Sequence, residues 1–365
     1  MSRSEVDDEI LMVIQVSPKP TRVVDEGFEC DELLARRTQW GTPACPVSQH
    51  LRAPRTARAR MIRLFEASVA RLESAQMSSG EVPLFWDSSP QFENPKYVKT
   101  VFPSAVVAAL FADTPCLRLR AIANHALDFL EKERGPDWTW SFFGAESDFP
   151  ADVDDTFWSL AALRERYGLL VVAEIAKQHL LALVPKDGLL PTYFDERRRG
   201  TDITVNANVL LCLSMLGIRD RIFMKLARRL LQAVRTGEHL AQISYYTSEL
   251  TLLVSISLAT MRALAAQSET VRRTMANHAF DIMRKRPLAE DNSPELFALF
   301  RILRIDFPAE VLSARALSRV AGNPSPWFRR RSKPVWYGSL AQPALYALLA
   351  SCCDWRLKEP KSPIP

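Results

Sequence analysis

The chain has 365 residues, 47% of them apolar and 24% charged, the balance of a soluble globular protein with one large or two ordinary domains. Its formal charge of +5 is modest, the arginines are spread over helix faces and no nucleic-acid-binding motif accompanies them, so no nucleic-acid partner is expected. Six cysteines form no CxxC pair and have no histidines at ligand spacing, which suits buried thiols in a reducing, cytoplasmic setting better than disulfides or zinc.

In chain order, the opening "MSRSEVDDEILMVIQV" has acids where a secretory signal needs a basic start. No run of about 20 apolar residues would span a bilayer, although peripheral contact with a membrane face stays open. Residues 1–56 read as a poorly ordered arm with scattered prolines and an arginine-rich end, and 357–365 as a tail. Between them, over 57–356, two kinds of helix alternate. The amphipathic kind starts with Met61–Leu72 and continues with "LRLRAIANHALDFLEKE", where Leu119, Ile122, Ala126 and Leu130 share a stripe. It recurs in "VVAEIAKQHLLALV", in "RDRIFMKLARRLLQAVR" with Phe223, Leu226, Ala227, Leu230 and Val234 aligned, and in "SETVRRTMANHAFDIMRKR".

The other kind is apolar on nearly every side: "SAVVAALFA" from Ser104, "DTFWSLAAL" from Asp155, "NANVLLCLSMLG" from Asn206, "SELTLLVSISLATM" from Ser248, "SPELFALFRIL" from Ser293 and "GSLAQPALYALLA" from Gly338. A helix apolar all round must be buried all round. These starts recur about every 40 to 55 residues, the range of helical-pair repeats. Six buried helices lining a ring and six outer ones, the five amphipathic segments named above among them and Met61–Leu72 beside the last inner helix, give an all-α fold, an α/α barrel. An open solenoid would not need inner helices so poor in polar surface.

In such a barrel the inner helices run the same way, so their N-terminal ends share one mouth. The segments entering them are aromatic: Trp138, Trp140 and Phe142, then Tyr193 and Phe194, then Tyr245 and Tyr246, then Trp336 and Tyr337, with Phe157 just inside. Small polar residues follow at the helix starts: Asp152, Asp154 and Asp155, then Asn206 and Asn208, then Ser248 and Glu249, then Ser339. Asp152 with Asp155 is also an acceptable helix cap, and aromatics pack ordinary cores, so neither signal is decisive alone. The five histidines show no metal-ligand spacing, and no metal site is expected.

"ADVDDT" resembles the Asp-x-Asp-Asp-Thr signature of class II terpene cyclases, the squalene-hopene cyclase and copalyl diphosphate synthase group. "DITVNANVLL", "YYTSEL" and "WYGSLAQPAL" are similar to later segments of that group, and the likeness covers about residues 95 to 350. The two-domain cyclases are about twice as long, and their repeated Gln-x-x-x-Gly-x-Trp motifs are absent. The chain therefore looks like a single-barrel member, of the kind that cyclises farnesyl-bearing aromatic or meroterpenoid substrates.

The resemblance implies an isomerase-type cyclase in which Asp154 protonates a linear prenyl chain, farnesyl or geranylgeranyl, attached to an aromatic head group or to a retained diphosphate. Asp152 and Asp155 would position and polarise Asp154. Three carboxylates so close do not all ionise cheaply, so one keeps its proton. Donors for the carboxylate left behind would be helix N-terminal amides, Asn206, Asn208 or a tyrosine. Trp138, Trp140, Phe142, Phe157, Tyr245, Tyr246, Trp336 and Tyr337 would offer π-faces to the cation, and Glu249, a tyrosine or water would take the final proton. The chemistry needs no cofactor; Mg2+ would assist binding if the substrate is a diphosphate. Arg197–Arg199 and Arg329–Lys333 are candidate anion partners, though solvated surface explains either run. Metal-dependent ionisation is disfavoured because neither of its two metal motifs is present. Two alternatives remain: a non-catalytic isoprenoid- or lipid-binding helical protein, and an α/α-barrel glycoside hydrolase, which its polar-poor inner helices disfavour.

Overall fold

The computed structural model describes residues 55–356 except 184, 186, 199, 264–267, 286–292, 305–308, 323–324 and 330–334. The arm expected over 1–56, apart from its last two residues, and the tail lie outside the described residues, as does most of the basic run 329–333.

Helix α1 (Arg55–Ala75) is followed by strands β1 (Leu84–Asp87) and β2 (Lys96–Val98). Then come α2 (Phe102–Phe111), α3 (Leu117–Lys132), α4 (Val153–Tyr167), α5 (Leu169–Ala182), α6 (Ile203–Met215) and α7 (Arg221–Thr236). The short α8 (His239–Gln242) precedes α9 (Glu249–Ala263), α10 (Ser268–Lys285), α11 (Ser293–Leu303) and α12 (Ala309–Val320). Strands β3 (Ser325–Arg329) and β4 (Trp336–Ser339) lead into α13 (Ala341–Arg356).

The two kinds of helix sort as their patterns demand. Every residue of α2 and of α6 is buried, as are the first eleven of α4. On α7 the stripe Phe223, Leu226, Ala227, Leu230 and Val234 is buried against the ring, while Arg221, Arg228 and Arg235 face water. Each fully buried Leu or Phe contributes about 1.5–3 kcal/mol, so the stripe alone fixes which way α7 faces. The buried helices pack in sequence, α2 on α4, α4 on α6, α6 on α9, α9 on α11 and α11 on α13, and α13 returns to α2. Outside them α3, α5, α7, α10 and α12 each lie against the inner helix that precedes them, and α1 packs on α13 and α12. Helix α12 is an outer element that the apolar stripes of the sequence do not single out.

One feature goes beyond an all-helical expectation. A small antiparallel sheet of order β2-β1-β4-β3 pairs Phe85 with Gly338 and Asp87 with Trp336, and so sews the approach to α2 onto the approach to α13. Gly338 is required there: a Cβ would strike the Phe92 ring and the Ser325 carbonyl. Ser339 Oγ donates to Pro83 O at 3.2 Å and accepts the first helical N–H of α13, from Ala341, at 3.0 Å. The ring is thus closed at its mouth by backbone pairing as well as by helix packing.

Candidate active site

The same face is knitted at the entries to α4, α6 and α9. Asp152 pairs with Tyr193, and Tyr246 with Phe328, as isolated bridges. Asp202 caps α6 through Oδ1, which accepts from Thr204 N at 2.6 Å and Val205 N at 3.2 Å. Its Oδ2 accepts from Ser244 N at 2.6 Å and Tyr245 N at 3.0 Å, so one buried carboxylate both starts α6 and anchors the strand of chain leading into α9. Nothing in the spacing of the sequence marked Asp202, although an Asp just before a helical run is an ordinary cap signal.

Three carboxyls occupy the first turn of α4 and its cap. Asp152 is the N-cap and accepts from Asp155 N at 2.8 Å. Trp140 locks this turn from behind: its N–H donates to Thr156 Oγ1 at 3.0 Å, its carbonyl accepts from Asp152 N at 3.1 Å, and its indole donates to Leu130 O at 2.8 Å. Burial drives the Asp152 carboxyl up to about 6, against the hydrogen bonds it accepts from Asp155. Burial also pushes Asp155 well above the usual carboxylate range, helped by the charge of Asp152 and by donating its own proton to that neighbour.

Asp154 is different, for it faces other helices. Asn208 of α6 donates its side-chain N–H to Oδ1 at 3.1 Å and to Oδ2 at 3.2 Å. Tyr246, at the approach to α9, donates its hydroxyl to Oδ2. Asn208 also donates to the Tyr246 oxygen at 2.7 Å, and Ser255 of α9 donates to Asn208 Oδ1 at 2.7 Å. Each donor in this chain is therefore oriented by the next. Burial holds the Asp154 carboxyl well above its ordinary range; the Tyr246 bond opposes this, the Asp152 charge adds to it, and the Asn208 bond opposes it again.

Residual exposure locates an internal space. Asp154 keeps 6% of its surface, and Trp158 one turn further keeps some, whereas Thr156 and Phe157 between them keep none. On α9, Thr251, Val254, Ser255 and Leu258 retain a little exposure, and on α13 so do Leu345, Tyr346 and Leu349. These positions follow the i, i+3, i+4, i+7 spacing of one helix face. Tyr346 donates to Thr251 Oγ1 at 3.0 Å, reaching past the intervening α11. Faces that touch across a ring and are not fully covered enclose a hollow.

Aromatic rings form a continuous series at its mouth. Phe328 lies 4.8 Å from Tyr246, 5.0 Å from Phe102 and 5.8 Å from Phe142, centroid to centroid. Phe142 continues to Tyr337 at 6.4 Å and, through Phe143 and Phe149, to Tyr193.

The structure thus brings together Asp154, Asp152, Asp155, Asn208, Tyr246, Phe142 and Tyr337. It places others elsewhere. Asn206 spends its amide on the backbone of Leu190 and Asp202, so it is not a donor to Asp154. Trp138 sits on the outer side, against Tyr167 at 4.9 Å and under Arg134 at 4.2 Å, with His179 on its carbonyl. Glu249 lies about 200° around α9 from Thr251 and faces His239 and His278 instead of the hollow. Trp336 pairs within the sheet, Tyr245 is half-buried beside Asp202, and Phe157 is packed solidly on α4. Arg197 is tied to Asp195 at 3.0 Å on the surface, and Arg198 lies over the Phe149 ring at 5.4 Å. Trp158, Ser255, Thr251, Tyr346, Phe102 and Phe328 join the site without having been marked by sequence. Trp158 was legible, one turn beyond Asp154 in "DDTFW"; Phe328 was not, because its place depends on β3 reaching Tyr246.

Among the described residues no helix is long and apolar enough to cross a membrane. The family model described as the sesquiterpene cyclase astC-like C-terminal domain matches residues 115–215, from α3 to α6, which include the Asp152–Asp155 turn and Asn208. No curated protein matches the chain by sequence. Among solved structures, a variant of the type II terpene cyclase MstE from Scytonema in complex with its product, merosterolic acid A, superposes with a TM-score of 0.58 at 13% identity, covering 82% of this chain and 98% of that one. A second MstE variant, in complex with its substrate geranylgeranyl dihydroxybenzoate, gives 0.58 at 13% identity over 81% and 97%. A protein from Actinoplanes gives 0.58 at 16% identity over 80% and 98%. The chain therefore has the α/α-barrel fold of the type II terpene cyclases.

Proposed function

We propose that the protein is a class II terpenoid cyclase in which Asp154 starts the reaction by protonating a folded prenyl chain. One observation carries the reading: a buried carboxyl, pushed well above its ordinary range, receives hydrogen bonds from Asn208 and Tyr246 and still keeps an edge on the internal space.

An alkene is a very weak base, so its protonation needs a strong acid aimed at it in a dry site. Burial favours the protonated form of Asp154 at rest. Tyr246 holds Oδ2 and Asn208 spans both oxygens, so Oδ1, with the fewer donors, carries the transferable proton. As that proton moves to the terminal alkene carbon, the alkene π electrons form the new C–H bond. The negative charge left on Asp154 meets donors that are already in place, the form of catalysis that costs no reorganisation at the moment of reaction. The cation passes along the chain as each alkene attacks the centre before it. Trp158, Phe142 and Tyr246 offer π-faces that stabilise it by about 0.5–2 kcal/mol each without trapping it. Loss of a proton at the end returns a neutral product isomeric with the substrate. Glu249 faces away, so the terminating base is a tyrosine or water. Asp152 and Asp155 hold the turn, and the charge of Asp152 favours a protonated Asp154.

A linear farnesyl or geranylgeranyl chain fits the reading: the matched family model is described as a sesquiterpene cyclase, and MstE takes a geranylgeranyl dihydroxybenzoate. Mg2+ enters only if the head group is a diphosphate. The test offers the purified protein farnesyl diphosphate, geranylgeranyl diphosphate and their prenylated dihydroxybenzoate counterparts, with mass spectrometry of the products. A cyclic product of unchanged mass from the native protein, absent with Asp154→Asn, is the expected result. Binding of these lipids without turnover by the native protein would instead indicate a lipid carrier.

A further inference from the structure

On the opposite side of α9 from Asp154, three side chains that lie far apart in sequence converge. His239 of α8 and His278 of α10 both direct Nε2 at Glu249 Oε2, at 3.3 Å and 3.2 Å. The three donor atoms all lie within 4.8 Å of one another, and the two imidazoles are 4.8 Å apart, centroid to centroid. His239 is fully covered, Glu249 nearly so, and His278 is partly open to solvent.

The hydrogen bonding of His239 is the informative part. Its Nδ1 lies 3.2 Å from the Ala233 carbonyl. A carbonyl oxygen only accepts, so the imidazole proton belongs on Nδ1. Nε2 faces the Glu249 carboxylate at 3.3 Å in a dry place, a contact that either a shared proton or a metal ion completes. A backbone carbonyl fixing Nδ1–H so that Nε2 points inward is the usual support of a metal-binding histidine. Two imidazole nitrogens and a carboxylate suit a borderline divalent ion such as Zn2+. Legs of about 2.0–2.2 Å meeting at tetrahedral angles set donors about 3.3 Å apart; the two nitrogen-to-oxygen edges here measure 3.3 and 3.2 Å, and the third edge, within 4.8 Å, would close as the ion binds.

We propose that His239, Glu249 and His278 form a structural binding site for a divalent transition metal, Zn2+ foremost, with water completing the coordination on the open His278 side. The ion would tie α8, the start of α9 and α10 together. Because Glu249 opens α9, it would also brace the Ser244–Ser248 segment, which carries Tyr246 to Asp154.

The test uses the full chain stripped with chelator, then dialysed against Zn2+ or Co2+ alone. The expected result is about one ion bound per chain, a visible Co2+ spectrum of nitrogen and oxygen ligation without a thiolate band, and a melting temperature raised by about 5 °C at a hundredfold excess of Zn2+ over Kd. His278→Ala, at a partly exposed outer position, and Glu249→Gln should each lower the affinity at least tenfold. If the folded native chain binds no Zn2+, or if His278→Ala binds it as tightly as the native chain, the site is refuted. Should the variants fail to fold, the Co2+ spectrum of the native chain decides, a thiolate band or no band counting against the proposal. None of these readouts involves turnover, so they stand or fall apart from the cyclase reading.

Discussion

Tyr246 donates to Asp154 while its own oxygen accepts from Asn208, so it helps the acid give up its proton. The Tyr246 bond lowers the Asp154 value against the larger upward push of burial. In Tyr246→Phe that value rises further: the acid stays protonated to higher pH but is weaker. The pH–rate profile should show its alkaline limb displaced upward and a plateau lowered about 100-fold, the cost of losing one donor to a developing charge. A limb that moves downward would contradict the assignment. Ser255→Ala should act in the same direction and more weakly, since it orients Asn208 from one step away. At this scale the sequence showed the acids plainly but their donors only in part: Asn208 and Asn206 have the same chemistry two residues apart, and only the neighbouring backbone at Leu190 decides which of them reaches Asp154.

The helix starts carry the next layer, because their caps and the acid share residues. The Asp152 carboxyl is near 6 when folded and 3.8 otherwise, so folding takes up a proton between those values. Its favourable contribution is complete below about pH 4 and is lost as pH rises through 6. Asp152→Asn keeps an oxygen for the Asp155 N–H and carries no charge. It should be more stable than the native chain by about 2 kcal/mol at pH 8, with the gap closing by pH 4, as read from urea midpoints. Burial pushes the Asp202 carboxyl up as well, but more bonds depend on it: Asp202→Ala removes the acceptor of four backbone N–H groups at once and should cost about 2–4 kcal/mol while releasing the approach to Tyr246. Apart from α12, the inner and outer helices were legible from their apolar periodicity, each being ten or more residues long. Strands of three to five residues carry too little alternation to be read alone, and β1 and β4 form only because the barrel brings them together.

For the molecule as a whole, the β1–β4 pair is the seam of the ring. Gly338→Ala forces a methyl against Phe92 and the Ser325 carbonyl, and the crowding should cost about 1–3 kcal/mol and lower the urea midpoint, with activity at saturating substrate kept in the folded fraction. The outer stripes, the buried inner helices and the shared mouth follow from sequence periodicity, whereas the outward turn of Glu249 and the inward reach of Phe328 depend on contacts made only once the ring exists.

That seam has a consequence for synthesis on the ribosome. Ser339 bonds to Pro83 across 256 residues of chain, so the first strand must wait, edge bare, until nearly the whole barrel has been translated. Helical pairs can form as they emerge, but closure is a late, non-local event and should set the pace of maturation. Nascent chains arrested before β4 should therefore stay protease-sensitive near residue 84, and those extended past α13 should become resistant in a single step.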